Sequence, residues 1–306
     1  MTAQGGQPDF LESAYSPKVT RAFSIIVRRM IRRQFAGVHA VKGSLETLRR
    51  LDRRLGPAVV ALNHSSWWDP LVCVLLCAAA TPSRTHAAPM DIDQLRRFRF
   101  MRKIGIFGVD PDDPRSLPRM ARHVLDRFEG EPRCTLWITP QGEFRDVRDE
   151  IALRPGAGAI AARASERREI PVLALAIEYT FWEDKRPEIF LRVQSVLPPD
   201  VPESANRRER IEAWTGEIER VMRENQATLA QLVMERDPRP FDVVLPGRGG
   251  ASHPLYDLWL RVRGKHGRIR ARRRGQADPK GLAGAPGLPG VPGVPGVPGV
   301  EGGKAS

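Results

Sequence analysis

The chain has 306 residues, of which 41% are hydrophobic, and this is enough to build one large domain or two small ones. Its formal net charge of +13 predicts an anionic partner, which is a membrane surface, a nucleic acid or a phosphorylated substrate. The longest apolar run, residues 71–80, is shorter than the roughly 20 residues of a membrane-spanning helix, which argues against a transmembrane protein. The N-terminus lacks a signal-peptide pattern, and Cys73, Cys77 and Cys134 have no disulfide spacing, so a reducing compartment is expected.

The first predicted helix covers residues 16–36, after a segment, residues 1–15, that is expected to be flexible. Ser16 followed by Pro17 is typical of a helix start. One side of this helix is apolar and its second half is rich in arginine. Two interpretations stay open: the apolar side packs on the core, or the helix lies as a basic amphipathic helix in the headgroup region of an anionic membrane.

Strand-like and helix-like segments alternate from residue 57 onward. The predicted strands are 57–63, 85–90, 105–109, 134–140, 170–180 and 188–197. The predicted helices are 70–80, 91–103, 114–129, 154–166 and 203–235. Such alternation predicts an α/β fold with a largely parallel central sheet and helices on both faces, in one domain over residues 16–245.

A low-complexity tail is predicted for residues 246–306. Its first part holds eight Lys or Arg residues and no acid between positions 261 and 274. Glycine then recurs at every third position from 281 to 302, which is the collagen period, but a disordered tail with polyproline-II character is favoured over a triple helix. The basic run is interpreted as a solvated tail or, preferably, a tether to anionic lipid.

The stretch NHSSWWDP, residues 63–70, follows a predicted buried strand and precedes a predicted helix. His64 and Asp69 therefore lie on either side of a strand-to-helix turn, across which a carboxylate can meet an imidazole. Such a pair acts as a general base with the group that orients it. The alternative is that Asp69 only caps the helix that Pro70 begins.

Two adjacent tryptophans, Trp67 and Trp68, lie inside the same stretch. They are predicted to line an acyl or acceptor pocket or to anchor the protein at a membrane interface. In the alternative interpretation, one indole packs under the sheet and the other is partly exposed.

The motif NHSSWWDP resembles the His–four residues–Asp motif of the glycerolipid acyltransferases, which include the lysophosphatidate acyltransferases. The resemblance covers about residues 16–235 and implies the glycerol-3-phosphate acyltransferase-like fold. It also implies that His64 deprotonates an acceptor hydroxyl, which attacks the thioester of acyl-CoA or acyl-carrier protein, with Asp69 as its partner. It implies no metal and no cofactor beyond the acyl donor as co-substrate.

The later motifs of that family are present in altered form. IGIFGVDPDD, residues 104–113, resembles the second motif, but Asp110 and Pro111 replace the arginine that binds the acceptor phosphate. ITPQGEFR, residues 138–145, resembles the third, with glutamine in place of glutamate and its arginine one position late. IPVLALAIEY, residues 170–179, resembles the fourth, an apolar strand with a leading proline, here Pro171. With the two tryptophans, the resemblance implies a substrate-binding set of Arg115, Pro140, Gln141, Gly142 and Arg145, in which the Gly142 N–H is also a candidate oxyanion donor.

The expected function is O-acyl transfer to a lipid hydroxyl, with lysophosphatidate in phospholipid synthesis as the default acceptor. The altered motifs keep a second acceptor class open, a non-phosphorylated one such as a glycolipid or a glycosylated carotenoid. A family member that binds acyl chains without transferring them is a further alternative, and so is a non-enzymatic basic protein that binds membranes or nucleic acid. Because no nucleic-acid motif is found, the expected partners are the acyl donor, the lipid acceptor and the inner face of the cell membrane, where the protein is peripheral on the cytoplasmic side.

Overall fold

A computed structural model of the chain describes residues 10–110, 112–113, 115–182 and 184–247, which belong to a single compact unit. Among these residues, eight strands form one sheet. The strands are β1 (Gly37–Val41), β2 (Ala58–Leu62), β3 (Thr85–Asp91), β4 (Ile106–Val109), β5 (Cys134–Ile138), β6 (Val172–Thr180), β7 (Glu188–Val196) and β8 (Phe241–Pro246). The α-helices are α1 (Pro17–Gln34), α2 (Ser44–Arg53), α3 (Asp69–Ala80), α4 (Ile92–Arg97), α5 (Ser116–Gly130), α6 (Gly156–Ser165) and α7 (Arg207–Met234), and a 3₁₀ helix covers Arg99–Ile104.

The strand order across the sheet is β4-β3-β5-β2-β6-β7-β1-β8. The first five strands are parallel to one another, β7 is antiparallel to β6, β1 is parallel to β7, and β8 is antiparallel to β1. The predicted α/β fold with a largely parallel sheet is therefore confirmed. Because β2 to β6 are parallel, their carboxyl ends meet at one edge of the sheet, where ligands of open α/β sheets bind.

The central strands are buried on both faces, as their unbroken hydrophobic runs predict. Every residue of β2 is buried, and its side chains alternate between two cores. Val59 and Ala61 join the core that α5, α6 and α7 cover, whereas Val60 and Leu62 join the core that α1, α2 and α3 cover. This three-layer arrangement fixes the end of β2, and with it the start of the NHSSWWDP turn.

One side of helix α1 packs against the core of the protein. Val27 and Ile31 are fully buried in the core that also contains α3, and Phe23 and Met30 pack against it. This side of α1 is part of the core, so a membrane can contact only the outer side, which carries the arginines. No helix among the described residues combines the length and the apolar character that crossing a bilayer requires.

The structure differs from the sequence prediction in several elements. Strands β1 and β8 and helix α2 were not predicted. The predicted basic helix 91–103 is divided at Phe98, whose backbone is not helical, into α4 and the 3₁₀ helix. The 3₁₀ helix ends at Gly105, where φ is 98°, and a Cβ there would lie 2.0 Å from the His86 carbonyl oxygen, so only glycine fits.

Two predicted segments lie mainly outside the described residues. Of segment 1–15, the described part is held against the edge of the sheet, since Leu11 bridges Gly108 of β4 and Phe10 packs on Phe107. Residues 1–9 and 248–306, which include the basic run 261–274 and the glycine-rich tail, are outside the described part of the chain, and their predicted character stays a prediction.

Candidate active site

The NHSSWWDP turn begins at Asn63, directly after β2. Asn63 is 3% exposed, and its side-chain amide forms a pair of hydrogen bonds with the backbone of Ile177 on β6. Its Nδ2 donates to the Ile177 carbonyl at 3.0 Å, and the Ile177 N–H donates to its Oδ1 at 2.8 Å. This clamp between neighbouring strands fixes the backbone from which His64 projects.

His64 and Asp69 meet across the turn, as their spacing predicts. His64 Nδ1 lies 2.9 Å from Asp69 Oδ2, and the N–H groups of Ser65 and Ser66 donate to the same oxygen, also at 2.9 Å. Asp69 is 1% exposed. Trp68 occupies the N-cap position of α3, and the carboxylate of Asp69 faces back into the turn, so the interpretation of Asp69 as a helix cap is wrong.

Tyr179 of β6 completes the surroundings of this carboxylate, and sequence reasoning missed it. Its hydroxyl donates to Asp69 Oδ1 at 2.6 Å. Burial, and then the nearby charge of Asp69, raises the pKa of Tyr179 far above its ordinary value, so the hydroxyl keeps its proton. Since the N–H groups of Ser65 and Ser66 donate to Oδ2 as well, the carboxylate acts as acceptor only. The proton on the His64 ring is therefore on Nδ1, which leaves the Nε2 lone pair free to accept a proton.

Gln141, which follows β5, holds the His64 backbone. It is 7% exposed, and its Oε1 accepts the His64 N–H at 3.0 Å. The His64 carbonyl accepts the N–H of Arg145 at 2.8 Å. The structure thus brings the first and third predicted motifs together, with the Gln141 side chain beneath the base as a positioning group.

The loop after β5, residues 139–155, is closed by a contact between its ends. The Pro140 carbonyl oxygen accepts a hydrogen bond from the Arg154 N–H at 2.8 Å. Gly142 has a φ of 77°, a left-handed conformation that favours glycine, and Arg154 Nε lies 2.7 Å from where a Cβ would be. The Gly142 N–H already donates to the Thr139 carbonyl at 3.0 Å. It is therefore not available to an oxyanion in this conformation, contrary to expectation.

The two arginines that the sequence offers as phosphate ligands each contact a nearby carboxylate. Arg115 Nε lies 3.0 Å from Asp113 Oδ1, and Arg145 Nε lies 3.0 Å from Glu143 Oε1. Arg154 differs from both, since its guanidinium lies against Gly142 and makes no hydrogen bond or ion pair with any described residue. No motif marks Arg154 in the sequence, because only the closed loop brings it back beside Gly142.

Phe144 is a further residue of the site that sequence reasoning did not identify. Its ring lies against the imidazole of His64, with 4.0 Å between the ring centroids and 30° between the planes. The side chain is 58% exposed. It lies at the tip of the loop after β5, where the third motif is one residue longer than in the family it resembles.

The two tryptophans of the motif separate. Trp68 packs against Phe35 at the end of α1, with ring centroids 5.0 Å apart, and belongs to the edge of the core. Trp67 is 62% exposed and contacts Trp68 edge-to-face. Trp67 is therefore the indole that is available to a lipid, whereas Trp68 supports the turn.

The remaining buried reactive groups are structural. The three cysteines are buried, and burial raises the pKa of each thiol, that of Cys134 to about 11, so none is an activated nucleophile.

His86 is buried as well. Burial, and then the charges of Arg84 and Arg127, lowers the pKa of His86 to about 3. His86 is therefore a neutral acceptor for the Trp137 indole N–H at 3.2 Å. The described residues contain no group of three His, Cys, Asp or Glu side chains that could hold a metal ion.

A buried carboxylate in contact with an imidazole, at the carboxyl edge of parallel strands, is an arrangement that can activate a hydroxyl group. Residues 42–178, which contain His64, Asp69 and Gln141, match the model of the family described as Acyltransferase. By this match the protein is an acyltransferase enzyme that acts on lipids. This confirms the resemblance to glycerolipid acyltransferases and supersedes the non-enzymatic interpretation. No curated protein matches the chain.

Proposed function

We propose that the enzyme moves a fatty acyl group from acyl-CoA or acyl-carrier protein to a lipid hydroxyl, with His64 as general base and Asp69 as the group that orients it. The observation that carries this proposal is the 2.9 Å contact between His64 Nδ1 and a carboxylate that three other donors hold in place. The buried carboxylate fixes the tautomer of the imidazole and stabilises the imidazolium that forms on proton transfer.

The reaction proceeds at the Nε2 side of His64. The acceptor hydroxyl donates its proton to Nε2 while its oxygen attacks the thioester carbonyl. The C–S bond then breaks, and the thiol leaves with the proton that His64 returns. For the intermediate oxyanion, the N–H groups of Glu143 and Phe144 are the candidate donors, because neither donates to another group in the described part of the chain. General-base help of this kind contributes about 10²–10⁴-fold to the rate.

We assign lysophosphatidate as the default acceptor because Arg154 offers what its phosphate needs. A guanidinium presents a planar set of donors that matches phosphate oxygens. Arg154 contacts Gly142, and the neighbouring Gln141 contacts the His64 backbone, so this cation lies close to the base. Its lack of an acidic partner among the described residues leaves its donors available for a ligand.

The second acceptor class, a glycolipid or a glycosylated carotenoid, is supported by a different observation. Arg115 and Arg145, the arginines nearest to the family positions, are held by Asp113 and Glu143. An acceptor without a phosphate needs no free arginine, and the exposed Trp67 offers an aromatic face on which a sugar or an apolar chain can pack.

The membrane partner we propose is an anionic surface that contacts the outer side of α1. Arg21, Arg28 and Arg29 are exposed on this helix, and Ile25 and Ile26 are about half exposed among them. Basic side chains attract anionic headgroups, and the two isoleucines add a small apolar contact. This mode is electrostatic, because the main apolar side of α1 is already buried in the core. It agrees with a peripheral position on the inner face of the cell membrane.

The proposal is tested by measuring free-thiol release from long-chain acyl-CoA, with wild type and His64→Ala compared on lysophosphatidate and on a glycolipid. His64-dependent release with lysophosphatidate supports the default acceptor. Release with the glycolipid alone supports the second class. Equal activity of wild type and the folded variant with every acceptor contradicts the role of His64. If both are inert, binding of acyl-CoA without turnover identifies a protein that binds acyl chains without transferring them.

A further inference from the structure

We propose that Phe144 is a positioning residue that covers the general base, and that it decides whether the acyl group goes to the lipid acceptor or to water. The inference rests on the proposed function of His64. The observation that carries it is the 4.0 Å contact between the two rings, at a tilt of 30°. A phenyl ring at this distance covers one side of the imidazole.

The position of Phe144 is fixed by its backbone. The next residue, Arg145, donates its N–H to the His64 carbonyl at 2.8 Å, so the loop and the base are joined beside the ring. Further along, the Leu153 N–H donates to Glu219 on α7 at 3.0 Å, and Arg223 of α7 donates to the Ile151 carbonyl at 2.8 Å. On the amino side of Phe144, Gln141 Oε1 accepts the His64 N–H at 3.0 Å, so the tip is held to His64 on both sides of Phe144.

Phe144 is 58% exposed, which is a costly position for a phenyl ring. It contributes little to the core, since its ring contact among the described residues is with His64. Its neighbours Gly142, Glu143 and Arg145 are all exposed. Phe144 is thus an apolar side chain beside the base in the otherwise polar stretch 141–146, where its outer face can contact the acyl chain or the apolar part of the acceptor.

Covering the base has a direct chemical consequence. Water can replace the lipid hydroxyl in the reaction: it gives a proton to His64, its oxygen bonds to the acyl carbon, the C–S bond breaks, and the thiol leaves with a proton. The products are then a free fatty acid and the thiol, and no lipid is acylated. Excluding water from the base suppresses this side reaction. The Phe144 ring lies against the His64 imidazole and is therefore placed to exclude water from it.

The test measures two products from the same reaction, free fatty acid and acylated lipid, for wild type, Phe144→Ala, Phe144→Leu and His64→Ala. We expect Phe144→Ala to raise the ratio of hydrolysis to transfer by about threefold to tenfold, the range that the loss of one aromatic contact gives. Phe144→Leu is expected to restore much of the wild-type ratio, because leucine is apolar and covers part of the same area. The matched control is Phe181→Ala, since Phe181 is 57% exposed and has no ring contact with His64.

A spectroscopic measurement keeps the inference separate from the proposed function. In protein labelled at the histidine Cε1 positions, Phe144→Leu is expected to shift the His64 resonance and to leave the other five histidines unchanged. If His64→Ala abolishes both products while Phe144→Ala leaves their ratio unchanged, the inference is wrong and the role of His64 stands. If the resonance shifts and His64→Ala still turns over normally, the proposed function is wrong and only the ring contact stands.

Discussion

Replacing Asp69 by asparagine separates the charge of this side chain from its shape. The carboxylate is 1% exposed and accepts from His64 and from the N–H groups of Ser65 and Ser66 on one oxygen, and from Tyr179 on the other. An asparagine oxygen can keep the first three contacts, and its amide can donate to the Tyr179 hydroxyl, which then becomes an acceptor. The turn is therefore expected to persist while the imidazolium loses its counter-charge.

The expected loss of kcat follows from the role of the negative charge of Asp69. Without it, the imidazolium formed after proton transfer is no longer stabilised, so kcat should fall by about 10²–10⁴-fold. The KM for the acyl donor should change little, because Asp69 is buried below the base and contacts no substrate. Weaker hydrogen bonds to a neutral acceptor should lower the free energy of unfolding by about 1–3 kcal/mol.

Thiol release from acyl-CoA with saturating acceptor measures kcat, and urea unfolding measures stability. Tyr179→Phe is the matched control, since it removes one hydrogen bond to Asp69 and keeps the charge, and it should cost less than about tenfold in kcat. If folded Asp69→Asn retains more than about a third of wild-type kcat, then orientation of His64 by this carboxylate does not contribute to the chemistry.

Three other changes test separate parts of the proposals. Arg154→Gln should raise the KM for lysophosphatidate by about tenfold or more and leave a glycolipid acceptor unaffected, whereas Arg163→Gln at the end of α6 should change neither; equal KM values in wild type and Arg154→Gln contradict the phosphate assignment. His86→Asn should flatten the pH dependence of stability: the native His86 has a pKa of about 3 and the unfolded one about 6.5, so the unfolded state binds more protons between these values. The wild-type free energy of unfolding should thus fall by up to about 1.4 kcal/mol per unit as pH drops through that window, and urea titrations at pH 6.5 and 4.5 that show the same loss in both proteins refute this account. Arg28→Glu with Arg29→Glu should weaken binding to vesicles that contain anionic lipid by about tenfold or more, with the difference disappearing in high salt; unchanged cosedimentation at low salt contradicts the proposed α1 surface.

The sequence predicted those elements whose signal is local. β2, β5 and β6 are buried on both faces, and their unbroken apolar runs are visible without any knowledge of their neighbours. β1 and β8 gave no such signal, because β1 is short and contains His39, and β8 is an edge strand with Val243 60% exposed. They form a pair from opposite ends of the domain, which no local pattern reports. Helix α2 is a different case. It was not predicted, although Leu48 and Leu51 have the spacing of a helix and the signal is therefore present in the sequence.

The residues of the candidate site also fall into two groups, those that a local pattern reveals and those that only the fold brings together. His64 and Asp69 are five residues apart, and a turn between a strand and a helix brings them together whatever the rest of the chain does. Tyr179 lies 110 residues from Asp69, and Gln141 lies 77 residues from His64, so these contacts exist only after β2, β5 and β6 have assembled side by side. Their roles could not be read from the sequence. Only the folded chain shows that the Gln141 side chain contacts the His64 backbone, and its contact with the substrate stays a prediction.

The loop over residues 139–155 has a consequence for how this enzyme can change. Its ends are joined by Arg154 and Pro140, and its second half is fixed to α7, so the strain from altering the tip stays within the tip. Position 144 can therefore change on an otherwise unchanged loop, because the contacts that hold the loop are made by Gly142, Arg145 and Arg154. A single substitution of Phe144 replaces the side chain above the base and keeps these contacts, which gives selection, or a protein engineer, a short route to a new acceptor.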